Sequence, residues 1–499
     1  MQLQFSKKTL RFLGCAVREV RNTELTQEIR LPDGMPDIGR MLTAWGQIML
    51  RSKQWQGGEI ELSGGVKVWV LYAPEDGTEP RVTEGWLPFQ LKWNPEPVER
   101  EGPVRMMPVL RFVDSRSTSA RKMMVRAGVG VLAQGFYPAE AEIHTPEDVP
   151  EDVQILKNTY PVRLSVDAGE KVFQMDEDID LASSGGAGGR LISYTLNPQV
   201  TERRVLSDKL VFKGNANGHL VWRDAGGMLQ SRDFELPFSQ LADLDGVYSA
   251  DARGDVRMAV TDLEADLNET GQLRLKSSLV AQYLVDDVQT AQLWEDAYSP
   301  RRDVTFETET LELPAVLDEK TENMKAEQTL PGQNGQVVDC RFYPDHPRQN
   351  RGADETELTV PGLFQTLYYG EDGTLQSGIS RWEGNLMVPA GSDTLIMPMV
   401  QTPGQVQIMN GVDGMMLSCP VQLQLRAGSG EGLTAIKTME LGQLQPERAD
   451  RPSLILRRCD TDSLWEIAKQ SGSTVSAICE ANGITAQPPA DRMLLIPVS

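Results

Sequence analysis

Three histidines, His144, His219 and His346, are the first residues to weigh, because imidazole is the usual general base and metal ligand near neutral pH. They lie far apart in the chain, and no metal-ligand spacing accompanies any of them, so neither a Ser-His-Asp triad nor a zinc site is expected. Each reads as an exposed or hydrogen-bonded histidine. The five cysteines, Cys15, Cys340, Cys419, Cys459 and Cys479, are odd in number and contain no C-x-x-C pair, as suits reduced thiols in a cytosol. Cys459 and Cys479 could pair if their segments meet, but free thiols are the expectation. Asp and Glu are abundant enough for a catalytic carboxylate pair, yet many fall in turns such as Glu75-Asp76 and Glu371-Asp372, where they solvate a hairpin. The glycine-rich run from Ser183 to Gly189 invites a phosphate-loop reading, but it lacks a GK[ST] ending and a following apolar helix, which leaves a linker. No catalytic residue, metal or cofactor is expected, and an enzyme is the least favoured class.

The elements that would carry any function are strands. The stretch from Leu62 to Phe89 alternates at Val66, Val68 and Val70 like a half-buried strand, turns at Glu75-Asp76-Gly77, and continues into Leu87-Pro88-Phe89. Its landmarks recur at an offset of 149: Gly65 falls on Gly214, Leu71 on Leu220, Gly77 on Gly226, Pro88-Phe89 on Pro237-Phe238, and Trp45 on Tyr194. A looser third copy aligns Gly362 with Gly65 and Tyr369 with Tyr72, with Glu371-Asp372-Gly373 as its turn. The lead-in strand ending at Leu31 has a counterpart at Asp178 to Leu181 and a looser one at Leu311 to Pro314. Long closing strands are expected at Arg121 to Phe136, Gln272 to Val285 and Met415 to Arg426, and a polar insertion from Tyr343 to Asp354. The chain therefore reads as mainly β: three repeated antiparallel, sandwich-like modules over 1–148, 149–300 and 301–448.

With 71 acidic against 49 basic residues, the formal charge is -22, which repels phosphate backbones and anionic lipids at long range. No nucleic-acid partner is expected. Arg11, Arg18, Glu19 and Arg21 interrupt any apolar run after Lys7-Lys8, and no 18-residue apolar span occurs elsewhere, so neither a secretory signal nor a membrane span is expected.

The last 47 residues change character. A short strand at Leu454 to Asp460 leads to Asp462-Ser463-Leu464-Trp465-Glu466-Ile467-Ala468, whose acidic start and spacing of Leu464, Ile467 and Ala468 predict a capped helix stopped by Gly472. Ser473-Thr474 starts a second helix that ends at Asn482-Gly483, and Arg492 to Val498 closes with a strand. Trp465 could stack on a sugar ring, but its place on the first helix favours core packing.

This βααβ tail, 453–499, resembles the LysM domain through D-S-L-W-x-I-A, A-N-G-I and L-L-I-P. The resemblance implies a small α+β domain that binds N-acetylglucosamine-containing glycan or protein in a groove between its first strand-helix loop and its second helix-strand loop. Carried over, the groove residues are Asp460, Thr461, Asp462, Ser463, Asn482, Gly483, Ile484 and Thr485. Thr461 stands where the family usually has Gly. The modules, through P-D-I, G-x-V-x-V-x-V-L-Y and L-P-F, resemble the SPOCS domain of endospore formers, most fully in the first repeat, less in the second, and in the third only at its Gly and turn. SPOCS-LysM proteins of the SipL-like family imply a spore-coat assembly adaptor of the mother-cell cytoplasm, recruited to the forespore surface. The implied partner is a coat scaffold resembling stage IV sporulation protein A. The alternative is a peptidoglycan-binding protein of the spore or cell wall.

Overall fold

Alternating side chains and glycine-bearing turns produce a chain built almost wholly of antiparallel strands. The computed structural model describes residues 1–95, 100–331, 336–390, 394–411, 414–429, 432–445, 453–459, 462–485 and 492–498. The first six strands are β1 (Phe5–Arg30), β2 (Ile38–Gln56), β3 (Glu59–Pro74), β4 (Arg81–Trp93), β5 (Val104–Ser119) and β6 (Lys122–Pro146). They form two three-stranded sheets, ordered β1-β6-β5 and β2-β3-β4. The next six are β7 (Gln154–Asp180), β8 (Arg190–Leu206), β9 (Lys209–Arg223), β10 (Leu229–Asp243), β11 (Arg253–Leu267) and β12 (Gln272–Tyr298). They repeat the pattern as β7-β12-β11 and β8-β9-β10.

A third set follows in broken form: β13 (Val304–Glu312), β14 (Val316–Pro331), β15 (Gln336–Pro344), β16 (Arg348–Arg351), β17 (Thr356–Tyr369), β18 (Leu375–Val388), β19 (Thr394–Gln401), β20 (Gln407–Gly411), β21 (Gly414–Ser429) and β22 (Gly432–Leu441). Here β14-β21-β19 and β15-β17-β18 correspond to the two sheets, while β13 pairs with β22. The tail contributes β23 (Leu454–Arg458), α1 (Leu464–Ser471), α2 (Val475–Asn482) and β24 (Met493–Pro497).

The alternation at Val66, Val68 and Val70 predicts one buried face, yet both faces of β3 are buried. Val66, Val68, Val70 and Tyr72 enter the first module's own core, while Trp69 and Leu71 enter a second core that is mostly strands of the second module. The amine of Lys67, on that second face, bonds the Tyr194 hydroxyl and lies 4.8 Å from its ring centroid. Gly65 and Gly214 lie in the equivalent middle strands β3 and β9, but the register shifts the match by one residue. Gly64, not Gly65, stands opposite Phe89 as Gly214 stands opposite Phe238. In each case the aromatic ring lies across the glycine, where an added Cβ would come within 2.6 Å and 2.7 Å of it, respectively.

The closing strands run farther than the sequence predicts. Residues 137–146 of β6 pair with 5–14 of β1, and residues 287–298 of β12 with 154–164 of β7, while β13 pairs with β22. These three ribbons pack on one another. Leu10, Phe12 and Ile143 of the first meet Leu164, Ala291 and Leu293 of the second and Leu311, Leu313 and Ala435 of the third. A second layer joins Leu3, Trp294 and Met439. An isolated two-stranded ribbon is marginal in water, so each is held by the other two. Each bends where it leaves its module: register shifts fall at Cys15/Val17 and Val285/Asp286, and the third ribbon breaks between β13 and β14. Leu311 to Pro314 therefore marks that break and does not match Leu31; the end of β14, which pairs Pro331 with Gly414, is the true counterpart. The expected polar insertion after Tyr343 likewise contains the short strand β16 and a buried His346.

Buried glutamines fasten the modules where edge strands would leave backbone groups unpaired. Gln47 accepts the Leu196 N–H at 2.8 Å, Gln282 exchanges two bonds with the Met106 backbone at 2.8 and 2.7 Å, and Gln365 donates to Thr43 and to the Ala44 carbonyl, each at 3.0 Å.

Candidate functional site

The helices of the tail form where their caps permit. The Ser463 hydroxyl accepts the Glu466 N–H at 3.2 Å while the Glu466 carboxylate accepts the Ser463 N–H at 2.7 Å, a capping box that opens α1. Gly472, at a φ of 63°, ends it. Thr474 caps α2, and Gly483, at a φ of 60°, terminates that helix. The two helices and the β23-β24 pair enclose Cys459, Leu464, Ile467, Ala468, Ile478, Leu494 and Ile496. Cys459 and Cys479 form no disulfide with each other.

Of the eight expected groove residues, Asp460 and Thr461 lie outside the described residues. The Asp462 carboxylate is paired with Arg457 of β23. Asn482 donates to the Ile478 and Leu495 carbonyls at 2.8 and 2.6 Å and accepts the Leu495 N–H at 2.8 Å, stapling α2 to β24. Arg457 stands opposite Leu494 and Leu456 opposite Leu495, so the two loops hang from neighbouring rungs of one sheet. Ser463, Asn482 and Gly483 are thus engaged in caps and staples. Ile484 packs half-buried against the domain core, and Thr485 is exposed.

The outer face of the β23-β24 sheet is apolar and open: Leu454, Leu456, Met493 and Leu495 are 52%, 61%, 49% and 39% exposed. Alternation explains it, since their neighbours Ile455, Leu494 and Ile496 point inward.

Trp465 packs half-buried against the tail's core, as its place on α1 predicts, and it also reaches beyond the tail. Its indole N–H donates to Asp296 of β12 at 2.7 Å, and its ring meets Tyr298 edge-on at 4.8 Å between centroids. Lys469, one helical turn on, bonds the same carboxylate at 2.7 and 2.8 Å. Tyr298 is buried within the tail's core and donates to the Ser473 carbonyl at 3.0 Å; burial, then the Asp296 charge, pushes its phenol up to about 12. A second register shift on β12, at Trp294/Asp296, lies beside this contact. Sequence reasoning missed Asp296 and Tyr298. The available signal was the i, i+4 pair Trp465 and Lys469, which forms a face distinct from Leu464, Ile467 and Ala468.

Elsewhere, His219 lies between Asp233 and Asp339, 2.5 Å from each, and His144 is 2.6 Å from Glu309. Among the described residues no group of three or more His, Cys, Asp or Glu is placed to hold a metal ion, and no helix is long and apolar enough to cross a membrane.

Residues 189–268, which span β8 to β11, match the family model described as SipL, SPOCS domain, and residues 461–497 match the LysM domain. The SPOCS match falls on the second module, whereas the sequence resemblance is fullest in the first. No curated protein and no solved structure matches the chain. Both matched families are non-catalytic binding domains, the first sporulation-related and the second of the peptidoglycan-binding class. The chain carries a SPOCS domain followed by a C-terminal LysM domain, the architecture of SipL-like proteins.

Proposed function

We propose that the chain is a non-enzymatic adaptor of spore-coat or spore-envelope assembly, acting in the mother-cell cytoplasm and at the forespore surface, whose LysM domain binds a coat scaffold protein resembling stage IV sporulation protein A. The observation that supports this reading is the division of labour within the LysM domain. The polar side chains of Ser463 and Asn482, which a glycan would need as hydrogen-bonding partners, are engaged internally, while four large apolar side chains stand open on the outer sheet face. A patch of that kind, rimmed by charge from Arg458 and Arg492, suits a protein surface better than a hydroxyl-rich sugar chain. Of the expected groove residues, Asp462, Ser463 and Asn482 to Thr485 flank in sequence the strands β23 and β24 that carry the proposed contact. The LysM match favours a second reading, binding of N-acetylglucosamine chains.

The test is paired titration of the full chain with the scaffold protein and with chitin oligomers, for wild type and Leu456→Arg. Scaffold binding that falls at least tenfold in the variant supports the adaptor. Tight chitin binding with no scaffold binding rejects it in favour of the wall-binding reading.

A further inference from the structure

Where the three modules meet, positive charge collects in a chain that is otherwise strongly acidic. Arg105 of β5 and Arg257 of β11 both grip Asp255, at 2.6 and 2.8 Å. Arg426 of β21 holds Asp286 at 2.6 Å, at the first bend of β12, and shares the Ser165 hydroxyl at 3.0 Å. Arg203 of β8 approaches Glu319 at 3.6 Å, and Arg253 of β11 stands exposed at the same place. Five guanidinium groups from three modules thus face three carboxylates. The neighbouring Glu170 offers no relief, because it is paired with Lys53 at 2.8 Å.

These side chains surround an opening. A recess of about 130 Å³ is lined by Arg203, Arg253, Arg257, Glu319 and Arg426, and it continues into a wider cleft of about 450 Å³ past Arg204 and Ser207. In its wall Arg426, whose side chain is 7% exposed, has an Nη1 with no hydrogen-bond partner; a carboxylate oxygen of Glu319 lies 3.7 Å from it. Behind it, Arg105 leaves Nε and Nη1 unpartnered as well. Buried guanidinium donors are costly to leave unmade, and like charges drawn together from separate modules repel unless an anion joins them. Glu319 is a weak counter-charge: burial, reinforced by Asp255, pushes its carboxyl up from the ordinary range.

We propose that this recess is a binding site for a small polyvalent oxyanion of phosphate chemistry, held by Arg203, Arg253, Arg257 and Arg426 and bracing the junction of the second and third modules. The planar forks of arginine suit such an anion, and the dimensions of the recess exclude a nucleic-acid strand, which the overall charge also repels. The site is remote from the LysM face and independent of the function proposed for it.

Thermal melts and calorimetric titrations of the full chain test the assignment, with pyrophosphate and glycerol 3-phosphate in parallel arms and sodium chloride at matched ionic strength as control. Either phosphate arm should raise Tm above the chloride control and give a saturable isotherm; pyrophosphate alone would indicate an inorganic ligand, and glycerol 3-phosphate a phosphate ester. The double variant Arg203→Gln/Arg253→Gln alters only the accessible pair, so it should melt like wild type without ligand and bind at least tenfold more weakly. No shift beyond chloride in either arm, or a shift that survives in the double variant, overturns the proposal. If the double variant melts early, Arg253→Gln alone decides by the same criterion.

Discussion

At Gly214 a methyl group would collide with the Gln199 carbonyl and come within 2.7 Å of the Phe238 ring. Gly214→Ala should therefore cost about 1 to 3 kcal/mol, as overpacking does, visible as a lower urea midpoint. An unchanged midpoint would mean that the ring does not need the glycine. Such anchors are legible in sequence because glycine and aromatic both sit in one hairpin. The environment of His219 is not, since Asp233 lies on the next strand but Asp339 comes from another module. Burial alone would lower its pKa, but the Asp339 charge and the bonds to both carboxylates leave it raised above the ordinary 6.5. With the folded value above the unfolded one, the imidazolium's contribution is complete below about pH 6.5 and is lost as pH rises through the folded value. Asp339 runs the other way: despite burial, Arg341 and His219 hold its carboxyl well below the usual range, so its share is lost in acid. Between about pH 6 and about pH 9 the stability of wild type should fall more than that of His219→Gln. Parallel pH profiles would remove His219 from the junction's electrostatics.

Among the elements, α1 separates what is local from what is not. Its capping box can be read directly, because Ser463 and Glu466 satisfy backbone groups three residues away; Ser463→Ala should cost about 1 kcal/mol of tail stability, measured by hydrogen exchange in α1. Its other face answers to β12, and the 169 residues that separate Trp465 from Asp296 hide that contact from the sequence. The run beyond Val285 is hard to read as strand, for Asp286, Asp287, Gln289, Thr290 and Gln292 dilute its alternation, and its apolar residues find their cover in Leu311, Ala435 and Met439 of the third module. Since the tail's interior is closed by Ile467, Ala468, Ile478, Leu494 and Ile496, Trp465→Ala should leave its helical circular dichroism in place while weakening its docking to Tyr298 by up to about 3 kcal/mol. Faster proteolytic release of an intact tail is the expected sign. Loss of the helices themselves would show that the tail's own core depends on Trp465.

For the whole molecule, the repeat is visible in sequence and the fusion of the repeats is not. The core beneath β9 gathers Phe212, Leu220 and Trp222 of the second module together with Trp45 and Trp69 of the first and Val338 and Leu367 of the third. The ribbons add a further core that no module owns. A segment cut at the repeat boundaries, 149–300, would open both cores at once and expose apolar surface that contributes on the order of 25 cal/mol per Å² when buried. Segment 149–300 alone should give a broad, weak calorimetric transition, whereas a chain ending after β22 should melt in one cooperative step through all three modules. A sharp melt of 149–300 with native-like near-ultraviolet dichroism would show instead that each module folds by itself, and that the shared tryptophans and ribbons only dock surfaces already formed.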